Sequence, residues 1–71
     1  MDELLGSWQA KKDVKARMGV SVFTIPKGSI VAVTQTDKQN RNVMVEAGPR
    51  SMDWMHKSFL DNFEQVTTQN L

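Results

Sequence analysis

The chain has 71 residues, 24% charged and 39% hydrophobic, and nine Lys and Arg against eight Asp and Glu leave a formal net charge of +1. This length holds one domain, its composition is too apolar for wholesale disorder, and the absence of cysteine excludes disulfides and thiolate metal sites. No apolar run approaches the roughly 20 residues of a membrane helix. The opening "MDELLGSWQA" also lacks the basic and apolar regions of a secretory signal, so a soluble cytoplasmic protein is expected.

Residues 1–7 contribute little to a core and end near Gly6-Ser7, which predicts a flexible tail before a folded unit over 8–67; a second tail follows at 68–71. From Trp8 the pattern alternates. Ala10, Lys12, Val14, Ala16 and Met18 share one parity, and Lys11, Asp13, Lys15 and Arg17 the other, a period of two that reads as a strand with one apolar face. Lys12 interrupts the apolar parity and places the early part of this strand at a rim. After Gly19, "VSVFTI" is extended and stops at Pro26. "PKG" is a turn, with Pro26 presetting φ and Gly28 free to take a positive φ. "SIVAVTQT" is the strongest strand, with Val31 and Val33 on one face and Ile30, Ala32 and Thr34 on the other. "DKQNR" has hairpin-loop character, "NVMVE" returns as a strand, and "AGPR" turns again.

Residues 51–63, "SMDWMHKSFLDNF", admit two readings. As a helix they align Met52, Met55, Phe59 and Phe63 at spacings of three and four. As a strand over Ser51 to Met55 they run into a 3-10 turn through "HKSFL" and re-emerge as a last strand from Phe63 to Val66. The preceding Gly48-Pro49 turn and the following "FEQVT" favour the second reading. All-β architecture follows, with Phe23, Phe59 and Phe63 as core.

Two segments, "IPKGSIVAV" at 25–33 and "DWMHKSFL" at 53–60, resemble bacterial SH3-like domains over residues 14 to 66. Trp54 matches the tryptophan of that family, Met55 an inward valine, and Phe59-Leu60 a Tyr-Leu pair. "VKARMG" lacks the family's early proline, and Asp53 replaces its glycine. The resemblance implies a small five-stranded SH3-like barrel with one 3-10 turn before the last strand. The same arrangement fits KOW-type modules of nucleic-acid machinery.

Catalysis finds no support. His56 is the only histidine, and Asp53 lies on the opposite strand parity from it, so no triad with Ser51 or Ser58 converges. One histidine and no cysteine do not make a metal set, and no cofactor motif is present. The chain therefore reads as a non-catalytic protein- or peptide-interaction module. Its patch is Trp54, Met44 and Met52, flanked by Arg41 and Arg50 in the two neighbouring turns. A stand-alone barrel of this size fits an accessory protein of a phage or mobile element. The alternative is nucleic-acid binding through the basic strand, Lys11, Lys12, Lys15 and Arg17, with Trp8 or Trp54 stacking on bases. The segment Val20 to Ile25 carries no charge, and as an exposed edge it offers a route to a weak homodimer; otherwise a monomer is expected.

Overall fold

The computed structural model describes residues 3–66, which form seven strands and one 3-10 turn. The strands are β1 (Gly6–Ala10), β2 (Val14–Met18), β3 (Ser21–Ile25), β4 (Ile30–Asp37), β5 (Asn42–Gly48), β6 (Ser51–His56) and β7 (Phe63–Gln65). The 3-10 turn, Lys57–Asn62, joins β6 to β7. Five strands make one antiparallel sheet in the order β6-β5-β4-β1-β7, and β2 pairs with β3 in a second. The fold is all-β, as the alternation predicts. Neither sheet closes on itself, and the two open sheets share one core. The expected tail at 68–71 lies outside the described residues, as does Thr67.

The long alternating run from Trp8 to Met18 is two strands, and this corrects the reading of it as one. β1 lies in the five-stranded sheet and begins at Gly6, opposite Val33, while β2 leaves it for the hairpin. The break falls at Lys11 to Asp13, where Lys12 interrupts the apolar parity. The corner is held by backbone and side-chain acceptors. Ala10 N–H donates to the Ser29 carbonyl at 2.9 Å, Lys11 N–H to that of Asn62 at 2.9 Å, and Lys27 N–H to the Asp13 carboxylate at 2.8 Å. The neighbouring turn uses Gly28 at φ 90°, closed by Ser29 N–H on the Pro26 carbonyl at 3.0 Å.

β4 serves two partners. On one side it pairs with β1 over Ile30 to Val33 (Trp8 opposite Val31), and on the other with β5 over Ala32 to Asp37 (Thr36 opposite Val43). The register shift between Val33 and Gln35 leaves an extra residue on β4 opposite β5, and such a bulge bends and twists the strand. Alternation then does the packing. Val31, Val33, Val43 and Val45 face inward and meet Val14, Ala16, Met18 and Ile25 of the hairpin. Leu60 and Phe63 close one end, with Phe59 at a ring-centroid distance of 5.1 Å from Phe63. Phe23 and Phe59 are half-buried against this core, so of the three phenylalanines only Phe63 is fully enclosed.

The segment 51–63 is a strand followed by a 3-10 turn, and the helical alternative for Met52, Met55, Phe59 and Phe63 is overturned. Met52 sits on the exposed face and Met55 on the half-buried one, a separation that one helical stripe would not give. His56 caps the turn: its Nδ1 accepts the Ser58 N–H at 3.2 Å and lies 2.9 Å from the Ser58 Oγ. No helix among the described residues is long and apolar enough to cross a membrane.

Candidate interaction surface

β6 is an edge of the five-stranded sheet, and its alternation sends Met52, Trp54 and His56 away from the core. On β5 the outward parity is Asn42, Met44 and Glu46, because Val43 and Val45 are inside. The register places Met44 directly opposite Trp54 and Glu46 opposite Met52, so neighbouring strands build one patch rather than scattered side chains. Directly opposed side chains in an antiparallel pair touch, and an aromatic–thioether pair is favourable. Trp54 is 41% exposed and Met52 49%, large values for residues of their size. The patch continues onto β4 through Ala32, the partner of Glu46.

The register brings Trp54, Met44 and Met52 onto one face. The two arginines stand apart at the ends of the strands. Arg50 is in the turn before β6, and Arg41, at φ 60°, ends the β4–β5 loop. Arg41 also lines a groove of about 310 Å³ with Leu4, Val43, Lys38 and Lys57, at the end of the sheet rather than on its outer face. Glu46 was not singled out from the sequence. Its parity with Met44 was legible, but its place between Ala32 and Met52 depends on register across three strands.

Asp53 points the other way from Trp54. Its carboxylate accepts the Gly19 N–H at 2.8 Å and the Trp54 N–H at 2.8 Å, and so staples the β2–β3 hairpin to β6. The Gly19 bond first and the Trp54 bond second stabilise the carboxylate and lower its pKa from 3.8. A depressed folded pKa contributes stability that is present above the unfolded value and is lost as the pH falls through the folded one. The hairpin is therefore expected to loosen in acid below about pH 3.8. The protection of the Gly19 amide relative to its intrinsic exchange rate should fall across that range in the natural protein, and should be low with no such step in Asp53→Ala. A residual acid dependence of global stability will persist in the variant, because Asp37 is also held low, chiefly by the Asn40 side chain. A Gly19 amide with the same protection in both proteins would show that the staple is not formed.

The residues considered for a nucleophilic triad do not converge, since Asp53 is turned to Gly19 while His56 and Ser58 engage each other. Among the described residues no group of three or more His, Asp or Glu is placed to hold a metal.

The basic residues occupy another part of the surface. Lys15 and Arg17 are exposed on the outer face of β2, and Lys11 and Lys12 on the corner before it. Trp8 is not with them. It shares the inward parity of β1 with buried Ala10, packs against the core, and donates its Nε1–H to the Leu4 carbonyl at 2.9 Å.

Comparison with protein-family models, with curated proteins and with solved structures gives no significant match. Function has to be read from the surface itself.

Proposed function

We propose that this chain is a non-catalytic interaction module, SH3-like in architecture, that docks a protein or peptide on the outer face of β5 and β6. One observation carries the reading: Met44 and Trp54 oppose each other directly on the solvent side, with Met52 beside them. Three large apolar groups next to one another on an open sheet face are costly to leave in water, and a rigid tryptophan ring gains much contact area at small entropy cost. Two methionines adapt to the shape of what binds. Glu46 lies inside this patch, so the partner best suited to it offers an apolar side chain with a basic neighbour.

The SH3-like architecture draws support from the path of the chain. A single antiparallel sheet holds five of the seven strands, the 3-10 turn links its β6 and β7 edges, and the β2–β3 hairpin is inserted between β1 and β4. The nucleic-acid reading draws on Lys11, Lys12, Lys15 and Arg17, but Trp8 is half-buried against the core and Trp54 belongs to a different face.

A peptide library selected against the immobilised chain tests the proposal. Selected peptides should combine an aromatic or aliphatic residue with Lys or Arg, and should shift the NMR signals of the Trp54 indole and the Met44 and Met52 methyls. Peptides that instead shift only resonances elsewhere would refute the docking face. Parallel titrations with single- and double-stranded oligonucleotides at two salt concentrations address the rival. Tight binding that collapses with salt and with charge reversal of the four basic residues would replace the present reading.

A further inference from the structure

We infer that β3 is a self-pairing edge through which two copies of this chain associate into a symmetric antiparallel dimer. β3 is hydrogen-bonded to β2 alone, so its other side is an open edge among the described residues. The geometry of the hairpin fixes which groups are free. Met18 and Ser21 flank a two-residue turn, with Gly19 at φ 62°, and they form its closing hydrogen-bonded pair. Bonded and non-bonded pairs then alternate along an antiparallel ladder. Phe23 therefore bonds to Ala16 and Ile25 to Val14, while Val22 and Thr24 send their N–H and C=O groups outward.

Those outward groups match a second copy of the same strand. With a two-fold axis through Phe23, Val22 faces Thr24 of the other copy on both sides of the axis, and every free donor meets a free acceptor. The two Phe23 residues then oppose each other at a non-hydrogen-bonded position, where side chains come closest. Phe23 is only half-buried in the single chain, so this contact would cover more of its ring. Val22 is 68% exposed and would gain a β-branched neighbour in Thr24. Edge strands that remain unpaired in solution usually carry a charge, a proline or a bulge. Ser21, Val22, Phe23, Thr24 and Ile25 offer none of these, and no like charges meet across the axis. That neutrality, with the self-matching register, selects a second copy over a charged partner. The dimer uses a surface distinct from the Trp54 patch and leaves it open.

Sedimentation equilibrium of the full chain over a wide concentration range, together with single-cysteine cross-linking, tests this. A reversible dimer of the 8.0 kDa chain is expected. Thr24→Pro removes an outward N–H that the hairpin does not use, so the monomer should keep its β-type circular dichroism. By symmetry two hydrogen bonds are lost, and dissociation should become about 30-fold easier. Because the chain has no cysteine, Phe23→Cys can cross-link only to another copy, and it should do so faster than Val22→Cys or an exposed loop control, Gln39→Cys. A single monomeric species at all concentrations overturns the inference. So does a dimer that survives Thr24→Pro, or cross-linking no faster at Phe23 than at Gln39. Loss of the dimer in Trp54→Ala but not in Thr24→Pro would place the contact on β6 instead.

Discussion

Phe63→Ala is expected to remove a large part of the protein's folding stability. Phe63 is 3% exposed, the largest side chain in a core otherwise made mainly of valine and alanine. Removing a buried phenylalanine ring costs about 3–5 kcal/mol, because lost transfer energy and a residual cavity add. A single domain carries roughly 0.05–0.15 kcal/mol of stability per residue, so about 4–11 kcal/mol is available here. The ring also packs on Phe59 at 5.1 Å, and its loss exposes one more half-buried aromatic. Little can compensate. The sheets are held by short strands, and β7 itself has three residues. Thermal unfolding followed by circular dichroism should show a midpoint lowered by at least about 15 °C. Phe63→Leu fills most of the space and should cost about 1–2 kcal/mol. A Phe63→Ala protein with near-natural stability would mean that the core does not close over this residue.

The second large effect separates the two tryptophans. Trp54→Ala should weaken a selected peptide by about 30-fold or more, the loss expected of a binding hot spot near 2 kcal/mol. Its effect on stability should stay below about 1 kcal/mol, since the ring stands on the outer face of an edge strand with 41% of its surface exposed. Trp8→Ala should do the reverse. It removes a half-buried ring and a hydrogen bond of 2.9 Å to the Leu4 carbonyl, and should cost about 2–3 kcal/mol of stability. Its Trp54 patch is untouched, so affinity under folding conditions should not change. Chemical denaturation and isothermal titration on the same two variants measure both quantities. A Trp54→Ala protein that binds as the natural one does removes the proposed docking face. One that instead fails to fold would show that the ring is structural.

The outer patch illustrates how far residue order reaches. Met52 and Trp54 share a parity, as do Met44 and Glu46, and those pairings are visible in any alternating string. What places Met44 against Trp54 is the two-residue turn Pro49-Arg50 together with the register shift between Glu46 and Gly48. A shift of one residue would have set Met44 against an inward side chain and dispersed the patch. The two arginines show the opposite limit: adjacency to the patch strands in sequence did not carry them onto its face, because turns project from the ends of a sheet.

The split of residues 8–18 into two strands has a similar origin. The alternation continues through Ala10, Lys12 and Val14, so periodicity alone reads one long strand. The corner exists because acceptors distant in sequence, at Ser29 and Asn62, take the backbone donors of Ala10 and Lys11. Asp13 likewise finds its donor at Lys27. Such partners are invisible to local pattern.

By itself, then, the residue order determined the all-β class, the shared faces of Val31 with Val33 and of Val43 with Val45, the turns beside Gly19, Gly28 and Gly48, and the 3-10 turn before the last strand. These follow from side-chain period and backbone restriction, which act within a few residues. Tertiary structure alone decided that the strands divide into two sheets, that Trp8 is half-buried while Trp54 is exposed, and that β3 has an open edge among the described residues. The physical reason is that strand order and register are settled by hydrogen bonds and burial between segments far apart in the chain, where no local rule applies.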